Sequence, residues 1–283
     1  MERRGYHGHF DFLDGFRGYQ VRIDLKKTDD LLNEDTQRCF HEAFLAGAGS
    51  KPAPTRYVFL NQVHGDNVQV LEDENQLSRG TPCGRPIGLG GDKPRPYLFH
   101  HLANTDGVIT NIEDLTLLVM TADCLSIFLC AKSSVGAGFE PAPTWIGLVH
   151  AGWRGTQKMI VKKAFETIQE RSGCGAADIH VILGPRIGKD HYEVGVEFQQ
   201  YFPVEVRSPR PFLGGVTPSL HQKKNKWYFD LAGANKRQLL DAGALRSRIV
   251  DLELCTLSEI EDFYSFRKEK EAAGRIISFI SKF

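Results

Sequence analysis

The chain has 283 residues, 41% of them hydrophobic and 25% charged, so it can bury a sizeable core as one large domain or two ordinary ones. Its 35 Lys and Arg residues equal its 35 Asp and Glu residues, so no net field draws it to nucleic acid or to a membrane. No run approaches the roughly 18 apolar residues of a membrane span, and the N-terminus lacks the apolar segment of a signal peptide. We therefore expect a cytoplasmic protein that binds neither nucleic acid nor membrane.

The cysteines are scattered without the paired spacing of a disulfide framework or a structural zinc site. In a chain of this length and class they are expected to stay reduced, and most are expected to be small core residues. There are six, namely Cys39, Cys83, Cys124, Cys130, Cys174 and Cys255.

Hydrophobic periodicity predicts the first elements of the chain, which are strands at residues 19–25, 57–60 and 68–71 and a helix at residues 35–45. Residues 78–97 are rich in Gly and Pro and predict a loop. Residues 47–55 and 136–144 match each other at seven of nine positions. Because Gly, Ala and Pro dominate both copies, we interpret them as two exposed loop inserts rather than as a duplicated core unit.

The second half of the chain alternates apolar strands with two clear helical patterns. One helix begins at about Thr156 and runs to Arg171, and another follows the N-capping Asp230. The strands are expected at residues 106–110, 115–120, 125–130, 145–149, 179–183, 248–254 and 276–280. Several strand pairs have short links and the order is not a strict β-α-β rhythm, which favours an α+β fold with mixed sheets.

Three metal-ligating residue types occupy comparable places, because His64, Cys124 and His150 each follow a buried strand. Two imidazoles and one thiolate leave the fourth tetrahedral position of zinc open, which is the pattern of a catalytic rather than a structural site. The residues are separated by 60 and 26 positions, so their spacing adds no independent support. Taken singly, such His and Cys residues are more often structural.

The same residues permit other chemistry. Cys124 could be a nucleophile with His150 as its base and Asp123 as the carboxylate that orients the base. Arg154 lies at the Gly-rich mouth of a predicted helix, where a phosphate would meet both a cation and free N–H groups. A salt bridge that packs this turn explains Arg154 equally well.

The motifs together resemble the laccase-domain, or polyphenol-oxidase-like, family of zinc-dependent purine nucleoside phosphorylases. The most specific match is the sequence His-Ala-Gly-Trp-Arg-Gly at residues 150–155, with Thr-Ala-Asp-Cys upstream of it at residues 121–124. Further matches occur in family order at residues 62–65, 106–110, 183–188, 192–195, 255–256, 265–267 and 274–275. The resemblance implies a single layered domain over residues 1–283, with mixed sheets flanked by helices.

The resemblance also implies site residues and partners. It makes His64, Cys124 and His150 the ligands of zinc, with copper as the alternative metal. It implies phosphorolysis of adenosine, inosine and S-methyl-5'-thioadenosine, with some adenosine deaminase activity, in a monomer or small homo-oligomer. Copper-dependent polyphenol oxidase activity is the alternative that the older name of the family suggests, but a multicopper laccase needs many more histidines than this trio. The chain departs from the family at Arg186, where a small residue is usual, and at His191, where a small residue or Cys is common.

In our hypothesis for the chemistry, Arg154 and Arg267 position the phosphate. Gln62 either orients the purine base or has a structural role. Asp123 is the candidate for protonating the leaving purine or for orienting a metal-bound water. Deamination would use attack at C6 of the purine. Two rivals belong to other classes, namely a metal-independent cysteine hydrolase built on Cys124 and His150, and a protein without catalytic activity that binds a partner.

Overall fold

The computed structural model describes residues 7–13, 16–23, 56–77, 81–83, 97–132, 144–202 and 219–282. These ranges form two packed mixed sheets, a small third sheet and a layer of helices. The α+β class with mixed sheets is therefore confirmed. The predicted helix at residues 35–45 and the insert at residues 47–55 lie outside the described ranges, as does the insert at residues 136–144 apart from Thr144.

The first sheet has seven strands within the described ranges, and the C-terminal strand of the chain runs through its interior. An interior strand, β3 (Arg56–Leu60), pairs in parallel with β6 (Tyr97–Leu102) on one side and with β8 (Leu115–Thr121) on the other. The remaining pairs are antiparallel. The order is β1 (His7–Leu13), β2 (Phe16–Ile23), β16 (Arg275–Lys282), β8 (Leu115–Thr121), β3 (Arg56–Leu60), β6 (Tyr97–Leu102) and β5 (Thr81–Cys83).

The second sheet has six strands in the described ranges and is mixed as well. Its order is β15 (Ile249–Asp251), β11 (Ile179–Leu183), β9 (Leu125–Lys132), β10 (Thr144–Ala151), β7 (Gly107–Thr110) and β4 (Val68–Leu71). A three-stranded sheet follows, in the order β12 (Glu193–Val194), β14 (Lys226–Phe229) and β13 (Leu220–Lys223).

The two large sheets bury their facing sides against each other. Because successive side chains of a strand point to opposite faces, β9 sends Phe128 and Cys130 towards the first sheet, where they share a core with Leu117 and Ile280. The buried Ser126 hydroxyl accepts a hydrogen bond from Ser278 at 3.0 Å across the same interface. The two sheets therefore form adjacent layers of one packed core.

Helices cover the opposite face of the six-stranded sheet. They are α1 (Trp153–Gln157), α2 (Ile160–Ser172), α3 (Leu231–Asp241) and α4 (Phe266–Glu269). Buried residues of α2, including Phe165 and Ile168, pack on Ile127 and Leu129 of β9. In the described part of the chain, no helix is both long and apolar enough to cross a membrane.

Side-chain amides of α3 fix α1 in place. The Asn235 amide donates to the hydroxyl of Thr156 at 2.9 Å, and the Gln238 amide donates to the Thr156 carbonyl at 2.7 Å. Thr156 is completely buried, so these hydrogen bonds satisfy groups that water does not reach. The turn that follows His150 is therefore held from both the sheet side and the helix side.

Some sequence predictions were wrong in detail. The single helix predicted from about Thr156 is two helices, because Met159 adopts a left-handed conformation with φ of 65° and interrupts the hydrogen bonding between α1 and α2. The loop predicted at residues 78–97 contains the short strand β5, which pairs with β6. The predicted strand at residues 248–254 is limited to Ile249–Asp251.

The chain passes between the two large sheets three times at one edge. Strands β3, β6 and β8 are mutually parallel, so their carboxyl ends lie at the same edge of the first sheet. Each strand is followed by a short link to a strand of the second sheet, namely residues 61–67, 103–106 and 122–124. The Thr-Ala-Asp-Cys motif at residues 121–124, which lies between two apolar strands, is thus the point where the chain crosses from one sheet to the other. Polar residues of separate links are thereby brought together at this edge.

We expect the Phe165→Ala substitution to lower the free energy of unfolding by about 3–5 kcal/mol, because it leaves a cavity under α2 where a fully buried ring packs on the sheet. Denaturant titration followed by circular dichroism measures this loss. The exposed Glu166 of the same helix is the matched control, and its replacement by Ala should change stability by no more than about 0.5 kcal/mol. Equal effects of the two substitutions would contradict the proposed layer.

Candidate metal centre

The three predicted ligands meet at the edge where the chain crosses between the sheets. The ligand atoms of His64, Cys124 and His150 all lie within 4.8 Å of one another. The rings of the two histidines meet edge to face with their centroids 4.8 Å apart. His64 is exposed, Cys124 is partly buried and His150 is buried, so the cluster has one closed side and one side open to solvent. It is the one such cluster of three or more ligand side chains among the described residues.

The buried carboxylate of Asp106 organises both histidines. Its Oδ1 lies 2.8 Å from Nδ1 of His150 and accepts the backbone N–H of His64 at 3.0 Å. Its Oδ2 accepts the N–H groups of Gly65 at 2.8 Å and of Val63 at 3.2 Å. These contacts hold His64 in a left-handed conformation, with φ of 59°. Sequence reasoning placed Asp106 inside a strand and assigned it no role in the site.

Gly152 allows the turn after β10 to run against the cluster. A Cβ atom at this position would lie 3.1 Å from both the Cys124 Sγ and a ring carbon of His64. Gly155 has even less space for a side chain, since a Cβ atom there would lie 2.8 Å from the carbonyl oxygen of Gly65, the residue after His64. The two glycines of the 150–155 motif are therefore explained by close approach to the residues of the cluster.

The charges of the cluster suit a metal ion. Burial raises the pKa of the Cys124 thiol, but the adjacent His150 and His64 outweigh burial and hold that pKa well below its ordinary value. Burial lowers the pKa of His150, whereas the Cys124 thiolate and Asp106 raise it above the ordinary value. The cluster thus favours the thiolate form that a metal ligand requires, and His150 would give up a proton on binding a metal.

A cavity of about 480 Å³ opens beside the cluster. Its wall includes all three candidate ligands, two aromatic side chains and two arginines. The aromatic residues are Tyr192 and Phe266, and the arginines are Arg267 and Arg275. Phe266 is 44% exposed and lines the cavity, so its ring is accessible to a ligand there. Burial raises the pKa of the Tyr192 hydroxyl, which therefore stays uncharged at neutral pH.

The two cavity arginines are held by the backbone. Arg267 donates from Nη1 to the Glu193 carbonyl at 2.8 Å, and its guanidinium lies 5.3 Å from the ring centre of Tyr192. Arg275 donates from Nη1 to the carbonyls of Ala273 and Gly274 at 3.0 and 2.9 Å. Each guanidinium is oriented through one nitrogen, so its other N–H groups can meet an anion. Arg275 was not among the predicted site residues, although the Gly-Arg pair that contains it was part of the resemblance.

Asp123 lines the cavity, and both of its carboxylate oxygens accept hydrogen bonds. Oδ1 accepts from the Thr256 hydroxyl at 2.6 Å, and Oδ2 accepts from the backbone N–H of Arg267 at 2.6 Å. Asp123 thus ties the link that carries Cys124 to the loop that carries Arg267. The carboxylate that orients His150 is Asp106 rather than Asp123.

Gln62 and Arg154 are positioned differently from the rest of the predicted site. The Gln62 amide donates to the Met120 carbonyl and accepts the Met120 N–H, both at 2.8 Å, and so extends the pairing of β3 with β8 while lining the cavity. Arg154 is exposed, lies 4.5 Å over the ring of Trp153, and is not among the residues lining the cavity.

Curated proteins resemble this chain over most of its length. The purine nucleoside phosphorylase YlmD of Bacillus subtilis (strain 168) is 29% identical over 224 residues, which cover 79% of this chain and 70% of that protein. The protein of the same name from Geobacillus stearothermophilus is 30% identical over 229 residues, covering 80% and 72%.

Solved structures share the fold, and a family model matches almost the whole chain. The crystal structure of YlmD from Geobacillus stearothermophilus has a TM-score of 0.66 at 23% identity, covering 95% of this chain and 92% of that one. The hypothetical protein YfiH of Bacillus licheniformis has a TM-score of 0.68 at 20% identity, covering 95% and 94%. The family model for multi-copper polyphenol oxidoreductase laccase matches residues 33–282. The chain therefore belongs to this laccase-like family.

Proposed function

We propose that the protein is a zinc-dependent purine nucleoside phosphorylase that converts adenosine, inosine and S-methyl-5'-thioadenosine, with phosphate, to the base and the ribose 1-phosphate derivative. The observation that carries the proposal is the cavity, because its lining combines the His64, Cys124 and His150 cluster with arginines and aromatic rings. The Bacillus and Geobacillus relatives bear the name of this activity.

The cluster fits zinc by its donor set. Two imidazoles and a thiolate are the ligands of catalytic zinc sites that keep one position open, and the contact from Asp106 to His150 supplies the outer hydrogen bond typical of such sites. A bound zinc ion would supply a concentrated positive charge and an open coordination position towards the cavity. Imidazole and thiolate ligands also suit copper, and metal analysis of the purified protein distinguishes the two.

The cavity also offers groups suited to the two substrates. Phosphate is an anion, and guanidinium groups bind its oxygens well. We therefore assign phosphate binding to Arg267 and Arg275, whose side chains are both anchored to backbone carbonyls. Tyr192 and Phe266 offer rings on which a purine could stack. Holding nucleophile and nucleoside together is a large part of what transfer at a ribose carbon requires.

The contacts of Asp123 favour a positioning role over proton donation to the leaving base. The Thr256 hydroxyl and the backbone N–H of Arg267 occupy both carboxylate oxygens, and these contacts hold the loop after β8 against Thr256 and the start of α4. We assign to Asp123 the orientation of Arg267. Because Asp123 is next to Cys124 in the chain, this contact would fix the distance between the phosphate site at Arg267 and the metal ligand Cys124.

A cysteine hydrolase is the rival that one specific observation favours. Asp106 contacts His150, and His150 contacts Cys124. The same order of contacts joins an orienting carboxylate, a base and a nucleophile in a cysteine hydrolase. The additional imidazole of His64 beside the thiolate favours the metal site instead, because a nucleophile of this kind needs only one base. Turnover that survives chelation and stops on alkylation of Cys124 would support the hydrolase.

The activity is tested by incubating metal-quantified protein with adenosine in the presence and absence of phosphate, and by separating the products chromatographically. We expect adenine and ribose 1-phosphate only when phosphate is present, with loss of activity after chelation and recovery with zinc. Inosine formed without phosphate would demonstrate the additional deaminase activity. If no nucleoside is converted by protein that carries one zinc per chain, the proposal is falsified.

We expect the Asp106→Asn substitution to weaken zinc binding about 10- to 100-fold, because His150 loses its charged partner and an amide NH2 would face the N–H groups of the His64 loop. Competition with a chromogenic chelator measures the affinity. Asp66→Asn is the control, since this nearby carboxylate contacts Lys163 and does not contact the cluster. Unchanged zinc affinity in the Asp106 variant would contradict the assigned role.

We expect the Arg275→Gln and Arg267→Gln substitutions to raise the KM for phosphate about 10- to 100-fold, which corresponds to losing one charged hydrogen bond of about 1.5–3 kcal/mol. The KM for the nucleoside should change less. Steady-state kinetics at varied phosphate measure the effect, with thermal melting to verify folding. Arg154→Gln is the comparison, and a larger effect there than at Arg275 would return the phosphate role to Arg154.

A further inference from the structure

A second cavity of about 430 Å³ shares no lining residue with the metal cavity. The segment from Gly184 to Tyr192 forms a wall between the two. Ile187 and Tyr192 face the metal cavity, whereas Arg186, Gly188 and His191 face the second one. Cys255 lies on the far side of this wall, next to the β-bridge that joins it to Arg186.

The sulfur of Cys255 lies beside two backbone N–H groups and one imidazole nitrogen. The N–H of Gly188 lies 3.2 Å from Sγ, the N–H of Ser258 lies 3.5 Å from it, and Nδ1 of His191 lies 3.4 Å from it. The hydroxyl of Ser258 is in turn 3.3 Å from the same His191 nitrogen. Donors arranged in this way favour a thiolate over a thiol.

The thiol is also accessible and has a lowered pKa. Cys255 is partly buried, but His191 and Ser258 beside it are exposed, so the sulfur can be reached from the cavity. Burial raises the pKa of this thiol, and the hydrogen bonds of Ser258 and Gly188 outweigh burial and bring it to about 7. Cys130 and Cys174, by contrast, are buried in the hydrophobic core.

The lining of the second cavity carries charges of both signs. Arg186 is neutralised by its pair with Asp251, in which nitrogen and oxygen atoms are 2.6 and 3.0 Å apart. The remaining charged groups are Lys189, Lys236, Arg246, Asp190, Asp230 and Glu253. Such a lining suits a small molecule that itself carries both carboxylate and ammonium groups. A short peptide meets this requirement.

We propose that Cys255 is a covalent modification site whose thiolate exchanges with small peptidic disulfides. The Sγ anion attacks one sulfur of the disulfide, the original S–S bond breaks, and a new S–S bond joins Cys255 to one half. The other half leaves with the electron pair as a thiolate and takes a proton from solvent. Cys255 is thereby oxidised while half of the disulfide is reduced.

The modification site connects to the metal cavity through the wall. Thr256, the next residue, donates its hydroxyl to Asp123, and the N–H of Ile187 donates to the Asp123 carbonyl at 2.9 Å. Gly188 is packed so closely that a Cβ atom there would lie 3.0 Å from Sγ. Conversion of the thiolate to a disulfide would weaken the hydrogen bond that the Gly188 N–H makes to Sγ, and Gly188 belongs to the wall between the two cavities.

The test treats the metal-loaded full chain with excess oxidised glutathione at neutral pH and locates the adduct by peptide mass mapping over time. We expect the first adduct on Cys255, its reversal by a dithiol, and its loss in Cys255→Ser. The Cys174→Ser control should leave the adduct unchanged. A first adduct on another cysteine, or the same rate of modification in Cys255→Ser, would overturn the proposal. This readout is independent of nucleoside turnover, so it stands apart from the test of the phosphorylase activity.

The rate distinguishes an activated thiol from an ordinary exposed one. At pH 7 about half of a thiol with a pKa near 7 is ionised, against roughly 3% of an ordinary thiol. The weaker nucleophilicity of the more acidic thiolate offsets part of this gain, which leaves an advantage of about threefold. We expect Cys255 to react about threefold faster in the folded protein than in the urea-unfolded chain, and Ser258→Ala with His191→Gln to remove this advantage. Equal rates in folded and unfolded protein would refute the activation.

Discussion

One buried carboxylate holds the candidate site together. Asp106 accepts three consecutive backbone N–H groups from the link that carries His64, and it contacts Nδ1 of His150. Burial raises the pKa of Asp106, but the hydrogen bonds from His150 and Gly65 hold that pKa below its ordinary value. The anion therefore persists inside the protein and fixes two ligands at once, because leaving any of these partners unpaired would be costly.

The fold makes this arrangement available. Three parallel strands of the first sheet end at the same edge, and the link after each crosses to the second sheet, so His64, Asp106 and Cys124 converge although they are distant in sequence. His150 arrives from the end of β10 in the second sheet. The site lies where backbone leaves one layer for another, and its side chains are anchored by strands rather than by long loops.

The α+β class could be predicted from sequence, because hydrophobic periodicity is a local signal. The trio of His64, Cys124 and His150 was implied only by the resemblance of the motifs to a family, since separations of 60 and 26 residues carry no spacing signal. The role of Asp106 could not be predicted, since a residue inside a predicted strand shows no function until its partners 41–44 positions away are known. The break at Met159 was missed because its left-handed backbone contradicts the preference of the residue. Sequence left Gln62 open between orienting the base and a structural role, and its amide is found to complete a backbone pairing that only the register of β3 and β8 reveals.

One segment of backbone, from Gly184 to Tyr192, contributes to two cavities. Arg186 and His191 face the second cavity, where Arg186 pairs with Asp251 and His191 contacts Cys255. Ile187 and Tyr192 face the metal cavity. The N–H of Ile187 donates to the Asp123 carbonyl, and the N–H of Gly188 lies 3.2 Å from the Cys255 sulfur. Because these two contacts belong to adjacent residues, a shift of the segment at Cys255 would also reach the link that carries Cys124.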